Sequence, residues 1–200
     1  MPTEKQFSDV LSGFAHLRAA ADPIQHILDH LVHGIVDILP ITAAGATLFA
    51  SGTQPRYVAA SNEAARRCEH LQAELDEGPG LAAFHTGEAI AIPDLRSESR
   101  FPAFAARAID TGLSSVFTVP LRQDDTPLGA LDLYRDAPPP PDDATMAAQT
   151  LANVAAAYLH NARAPSDRKV DLRSDLQRAC GPRHGLRLAQ RLVPIDGRPI

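Results

Sequence analysis

The sequence predicts an α+β fold in which one antiparallel sheet carries helices on both faces. Three observations support this fold class. Apolar residues recur every three or four positions near both ends of the chain, which is typical of amphipathic helices. Two runs of turn residues, 51–55 and 123–126, each separate a pair of short apolar segments, which is typical of β-hairpins. Between the hairpins, residues 74–95 predict a turn, a short helix and a strand.

Two helices are predicted before the first strand. The first covers residues 4–20, and its apolar stripe consists of Phe7, Val10, Leu11, Phe14 and Leu17. The second begins at Pro23, which suits the first helical position, and Asp22 is placed to cap it. It ends before Pro40, because proline cannot continue a helix.

The remaining elements follow in a regular order. Strands are predicted over 43–50 and 56–61, and a helix begins at Asn62, with its buried side marked by Ala65, Cys68, Leu71 and Leu75. A later helix ends at Gly112, and the last two strands cover 114–122 and 127–134. The final helix covers 144–162 and is capped by Asp142 or Asp143. Its predicted inner side consists of Met146, Leu151, Val154, Ala155, Tyr158 and Leu159.

The most specific segment is ELDEGPGLAAFHTGEAIAIPDL, residues 74–95. Gly78, Pro79 and Gly80 interrupt the preceding helix and open a new one, because glycine and proline restrict which backbone conformations can continue. This short helix stops at Gly87. The apolar strand 89–92 that follows must end at Pro93, since proline has no donor for a sheet ladder.

This segment resembles the middle of a GAF domain, the regulatory module of many bacterial signalling proteins, including those with ANTAR or GGDEF output domains downstream. The runs RFPAFAARAIDTGLSSVFTVPLR and TPLGALDLYR resemble the second half of the same fold, so the resemblance covers roughly residues 5–163. It implies that the first and last helices pack together on one face of the sheet and pair between subunits of a homodimer. It also implies a pocket on the other face, roofed by the middle segments.

The candidate ligand-binding residues of that pocket are Phe49, Tyr57, Glu77, Leu81, Phe84, Ser115, Phe117 and Asp132. Strand alternation places Ser115 and Phe117 on one sheet face, and Asp132 and Tyr134 on one face, without deciding which face is inward. Glu77 is expected either to contact a ligand or to cap the short helix that follows it. The identity of any cofactor is left unknown.

Several chemistries lack their usual pattern. The segment after Gly78 has no lysine of a phosphate-binding loop, and Ser115 has no nucleophile-elbow context. His26, His30 and His33 have helical spacing but no HExxH arrangement, so no metal site is predicted. Cys68 is predicted to be a buried structural cysteine. The motifs of bilin-binding and cyclic-nucleotide-binding GAF domains are absent from the sequence.

Charge and composition divide the chain in two. Residues 1–162 hold 10 Lys and Arg against 20 Asp and Glu, a net charge of −10, whereas residues 163–200 hold 9 against 4, a net charge of +5. The sequence therefore predicts a sensor domain over 1–163 and a basic, proline-containing, flexible tail over 164–200. Two cysteines far apart and the lack of a long apolar run predict a cytoplasmic protein without a membrane segment.

These features predict a non-enzymatic regulatory module that binds a small molecule and acts on a downstream output protein. One alternative is a ligand-free dimerisation scaffold whose pocket is filled by Leu81, Phe84 and Phe117. Another is an RNA-binding, antitermination-type regulator that acts through the tail, where three arginines recur every four residues (Arg183, Arg187 and Arg191). Nucleic acid is expected only through that tail, because an acidic domain repels phosphate.

Overall fold

Six α-helices and five strands form one α+β domain in the computed structural model, which describes residues 3–16, 23–49, 54–139 and 141–162. The helices are α1 (Glu4–His16), α2 (Pro23–Ile38), α3 (Glu63–Leu75), α4 (Pro79–Thr86), α5 (Pro102–Ala108) and α6 (Asp142–Ala162). The strands are β1 (Ala43–Phe49), β2 (Pro55–Ala60), β3 (Ile90–Ile92), β4 (Ser115–Gln123) and β5 (Thr126–Arg135). The predicted fold class and order of elements are confirmed. The predicted tail, 164–200, lies outside the described residues.

All strand pairs in the sheet are antiparallel, and the strand order is β2-β1-β5-β4-β3. The last strand in sequence, β5, therefore lies at the centre, between β1 and β4. At its midpoint, Asp132 pairs with Gly45 of β1 and with Thr118 of β4. Because side chains alternate along a strand, this register brings both neighbours to the same sheet face as Asp132.

Helices α1, α2 and α6 cover one face of the sheet. Their apolar sides pack on Leu48, Val119, Leu131 and other aliphatic residues of the sheet. Phe14 of α1 stacks on Tyr158 of α6, with ring centroids 5.7 Å apart. The predicted packing of the first and last helices together is thus confirmed.

Helices α3, α4 and α5 cover the opposite face. Phe104 of α5 and Tyr134 of β5 are fully buried there, with Cys68 and Ile92 beside them. The helix predicted to begin at Asn62 begins one residue later, and Asn62 caps it, because its side-chain oxygen accepts a hydrogen bond from the Ala65 amide at 3.0 Å. Gly87 ends α4 with φ of 72°, a left-handed conformation that favours glycine.

Two predictions about α6 are wrong. The helix already begins at Asp142, and the amides of Ala144 and Thr145 donate to the Pro141 carbonyl, so Asp142 lies inside the helix and does not precede it as a cap. Met146 is 72% exposed. The buried positions of α6 are Ala144, Ala148, Leu151, Ala152, Ala155, Ala156 and Leu159. Met146 follows Ala144 by two residues, about 200° around the helix, which turns it toward solvent.

We expect Leu151→Ala to lower the free energy of unfolding by about 2–5 kcal/mol, because it leaves a cavity in the core. Thr150→Ala on the same helix should change it by less than about 0.5 kcal/mol, because the side chain is exposed and its hydroxyl bonds only to the Met146 carbonyl of its own helix. Urea denaturation of both variants measures the difference. Equal losses for the two variants would contradict this orientation of α6.

Candidate functional site

Six polar side chains are buried between the sheet and helices α3 and α4. Each of these side chains is at most 6% exposed. The other buried residues on this face of the sheet are mostly apolar. The six polar side chains come from three strands and one helix: Thr47, Glu69, Gln72, Thr118, Asp132 and Tyr134. Buried polar groups are tolerated only when they are hydrogen-bonded, so their partners define the site.

Glu69 reaches the sheet because β1 has a glycine below it. A Cβ atom at Gly45 would lie 2.1 Å from Glu69 Oε1, a distance that real Cβ atoms do not adopt. The missing side chain therefore makes the space in which the carboxyl group lies. Thr47 Oγ1 donates to Glu69 Oε2 at 2.6 Å, and the Tyr134 hydroxyl donates to Glu69 Oε1 at 2.8 Å.

Asp132 is held from two sides. The Thr118 hydroxyl of the neighbouring strand donates to Asp132 Oδ1. Gln72 of α3 donates through Nε2 to Asp132 Oδ2 at 2.9 Å. The two carboxyl groups thus tie α3 to β1, β4 and β5, the three inner strands of the sheet.

Gln72 also holds the beginning of α4. Its Oε1 accepts a hydrogen bond from the Gly80 amide at 2.7 Å, one of the amides that has no partner within the helix. A Cβ atom at Gly78, where φ is 153°, would lie 2.4 Å from the same Oε1. The Gly-Pro-Gly turn is therefore needed for the amide side chain of Gln72 to lie this close to the backbone.

Burial dominates the electrostatics of the site. It raises the pKa of the Glu69 carboxyl well above its usual range, and the charge of Asp132 raises it further. Burial also raises the pKa of Asp132, against the lowering effect of its hydrogen bonds from Thr118 and Gln72. Burial raises the pKa of the Tyr134 hydroxyl as well. Within the described part of the chain, neither carboxyl group forms an ion pair with a basic side chain.

A small cavity lies beside these groups. It has a volume of about 10 Å³, and its lining includes Thr47, Phe49, Glu69, Gln72, Leu81 and Asp132. That volume corresponds to about one water molecule. Phe84 of α4 packs against Phe49, the last residue of β1, with ring centroids 4.6 Å apart.

Four of the predicted pocket residues lie at this site. Phe49, Leu81 and Asp132 line the cavity, and Phe84 contacts Phe49. Two others lie on the opposite face of the sheet, because Tyr57 and Phe117 pack against the core under α1, α2 and α6. Phe117 therefore does not fill the cavity, contrary to its role in the ligand-free alternative.

The structure decides the question that strand alternation leaves open. Thr118, the residue after Phe117, points toward the site, so Phe117 points away from it. Ser115 shares the parity of Phe117, and its hydroxyl donates to the Ala137 carbonyl at 2.7 Å. Asp132 and Tyr134 do share one face, the one under α3.

Glu77 caps a different helix from the expected one. Its Oε1 accepts a hydrogen bond from the Phe104 amide at 2.9 Å, in the first turn of α5. The first turn of α4, which begins after Gly78, is instead capped by Gln72 through the Gly80 amide. The expected capping of α4 by Glu77 is thus wrong, because the fold brings α5 within reach of the carboxylate.

Sequence reasoning missed Thr47, Glu69, Gln72 and Thr118 as site residues. One signal was present in α3, where Ala65, Glu69 and Gln72 are spaced by four and three residues and share one helix face. Two polar side chains on a face that begins with a buried alanine indicate buried hydrogen bonding. No local signal marks Thr47 or Thr118, because threonine is common in strands.

The other candidate groups lie in simpler surroundings. Cys68 is buried against the Thr111 hydroxyl at 3.8 Å, and burial raises the pKa of its thiol to about 12. His30 Nε2 lies 2.8 Å from the Val10 carbonyl oxygen. Among the residues the structure describes, no three His, Cys, Asp or Glu side chains are grouped so that they could hold a metal ion. The helices described here are also too short or too polar to cross a membrane.

A family model for the GAF domain matches residues 21–160. The chain belongs to the GAF domain family. The matched range contains all five strands and helices α2 to α5, so it contains the whole buried polar site. No curated relative matches the chain in sequence.

Solved GAF structures share the fold at low identity. The GAF domain of a phosphoenolpyruvate-protein phosphotransferase from Coxiella burnetii is 16% identical, with a TM-score of 0.62 over 82% of this chain and 99% of that one. The equivalent domain from Acinetobacter is 15% identical, with a TM-score of 0.58 over 80% and 97%. These likenesses show a common fold.

A photoreceptor fragment is also similar in fold. The chromophore-binding domain of a bacteriophytochrome from R. palustris is 14% identical, with a TM-score of 0.53. The match covers 80% of this chain, which spans 64% of the length of that fragment. At this identity the likeness concerns the GAF fold and not the chromophore.

We expect Gln72→Leu to lower the free energy of unfolding by about 2–4 kcal/mol, because the buried Gly80 amide and Asp132 Oδ2 both lose the hydrogen bond that Gln72 makes with them. His70→Leu is the control, since His70 is exposed on the same helix and its replacement should cost less than about 0.5 kcal/mol. Urea denaturation at neutral pH compares the two. A Gln72→Leu protein as stable as the wild type would show that the network does not hold α3 and α4.

Proposed function

We propose that this GAF domain is a non-enzymatic signal-transduction module that detects a small molecule at the buried site under α3 and α4. The observation that carries the proposal is the cavity beside Glu69, Gln72 and Asp132, where polar groups converge behind an apolar edge of Phe49, Leu81 and Phe84. Binding sites in proteins commonly combine an apolar lining with a few placed polar groups. A ligand here would enlarge the cavity by displacing side chains of α4 and β1.

The sheet supplies a path from this site to the terminal helices. Neighbouring residues of one strand contact both sides of the sheet. In β1, Thr47 faces the site and Leu48 packs in the core under α2 and α6. In β5, Asp132 faces the site and Leu133 packs in that same core. Suppose that these strands and the helices on the other face have two arrangements. A ligand then shifts the equilibrium between them only as far as its affinities for the two arrangements differ. We infer that the helices pass this shift to a partner subunit and to a downstream output protein, of the ANTAR or GGDEF kind in the sequence interpretation.

One observation favours the second candidate, a ligand-free dimerisation scaffold. The cavity of about 10 Å³ is nearly filled by the protein's own side chains. In a scaffold, the polar network would serve only to hold α3 and α4 on the sheet. The two candidates differ in whether any small molecule binds at the site.

A thermal-shift screen with metabolites and nucleotides distinguishes them. At about a hundred times its dissociation constant, a ligand adds about 2.7 kcal/mol of stability, which raises the melting temperature by several degrees. Ala73 is exposed at the cavity edge, so Ala73→Leu should block the shift while the helix stays intact. Ala106→Leu, an exposed position on α5 away from the cavity, should keep the shift. If no compound raises the melting temperature of the wild type, the scaffold is the better account.

We further predict a homodimer that pairs through the terminal helices. Met146 is the large apolar residue left exposed on α6, and Met146→Glu should weaken the dimer at least tenfold, because it places a charge in the interface. Thr86→Glu, an exposed position on α4, makes the same change on the other side of the domain and should have no effect. Sedimentation equilibrium measures both. A wild-type monomer at all concentrations would contradict the prediction.

A further inference from the structure

The arrangement of hydrogen-bond donors around Glu69 and Asp132 identifies a further property of this site. Each of the four carboxyl oxygens accepts a hydrogen bond from one donor: Tyr134 and Thr47 for Glu69, and Thr118 and Gln72 for Asp132. All four donors are uncharged. The two carboxyl groups also line the same small cavity, close enough for the charge of Asp132 to act on Glu69. A second negative charge is disfavoured in so buried a site, so one proton on the pair is favoured over none.

The donors also indicate which group carries that proton. The Gln72 Nε2 group can only donate, and Thr118 donates to the other oxygen, so Asp132 has the surroundings of a carboxylate. Glu69 is surrounded by two hydroxyl groups, which can rotate to donate or to accept. The proton therefore belongs on Glu69.

Two other titratable side chains are buried near the pair, Tyr134 of β5 and Cys68 of α3, and burial raises the pKa of both, that of Cys68 to about 12. The further titratable residues of α3 are exposed: Glu63, Arg66, Arg67, His70 and Glu74. The facing residues of β1, β4 and α4 are Thr47, Thr118 and Gly80, which do not titrate. Arg67, whose charge acts on Cys68, is exposed on α3. Below about pH 9, the carboxyl pair is thus the titrating unit of this cluster.

We infer that Glu69 and Asp132 share one proton at neutral pH, and that this proton locks α3, and α4 through Gln72, onto the sheet. Loss of the proton to solvent leaves two adjacent carboxylates in the interior, and their repulsion favours lifting α3 and α4 from the sheet. The lock is a property of the domain itself and does not depend on whether a ligand binds.

The sign of the pH dependence follows from linkage. In the unfolded chain both groups ionise near their ordinary pKa values of about 4, whereas the folded pair keeps a proton to higher pH. The folded state therefore binds one proton more than the unfolded chain within this window. The stabilisation is complete at acid pH, falls as the pH rises above the unfolded values, and is gone above the pKa of the folded pair.

The test compares urea unfolding of the wild type and of Glu69→Gln between about pH 5.5 and about pH 7.5. Glutamine keeps the shape of the side chain, but it has no proton to lose. The unfolding constant of the wild type, divided by that of the variant, should rise about tenfold per pH unit, or roughly a hundredfold over the range. Contributions from histidines cancel in this ratio. A ratio that does not change with pH would overturn the inference.

Glu74→Gln is the matched control on the same helix. Glu74 is exposed and its hydrogen bond from Arg107 lowers its pKa, so it is ionised throughout the range and its replacement should leave the pH dependence unchanged. Should Glu69→Gln fail to fold, infrared spectroscopy of the wild type gives a second measurement. A protonated-carboxyl band that persists at pH 7.5 supports the shared proton, and its absence overturns it.

Discussion

The burial of two carboxyl groups that pair with no basic side chain of the described residues is the constraint on which the rest of this GAF domain depends. Such burial is tolerated only if every oxygen has a donor, and here the donors come from β1, β4, β5 and α3. The hydrogen bonds of Glu69 require a glycine at position 45, because a side chain there would occupy the space of the carboxyl group. The hydrogen bonds of Gln72 require the Gly-Pro-Gly turn for the same reason. A requirement for hydrogen bonds therefore specifies the register of the sheet and the start of α4.

The two faces of the sheet are built on different principles. Under α1, α2 and α6 the core is almost entirely aliphatic, so its stability comes from packing and burial of apolar surface. Under α3 and α4 the contacts are polar and directional, and they leave space for about one water molecule. Polar networks of this kind have fewer equivalent arrangements than aliphatic packing, because each hydrogen bond requires a particular partner and direction.

The candidate site could be predicted only in part. Of the predicted ligand-binding residues, Phe49, Leu81 and Asp132 line the cavity and Phe84 contacts Phe49, whereas Tyr57 and Phe117 lie on the other face. Alternation establishes that Asp132 and Tyr134 share a face, but a sheet with helices on both sides has two inward faces, so hydrophobicity alone does not choose between them. Glu77 was recognised as a capping residue, yet the helix that it caps is 27 residues further along the chain.

The sequence by itself determined the type, order and approximate ends of the elements, because helix periodicity, strand alternation, and glycine, proline and asparagine signals act over a few neighbouring residues. Only the tertiary structure decided which polar groups meet. Tyr134 and Glu69 lie 65 residues apart in sequence and 2.8 Å apart in space. Such a contact depends on the strand order and on the rotation of α3 about its axis, which no local preference encodes. The proton shared by Glu69 and Asp132 is therefore a property of the folded chain.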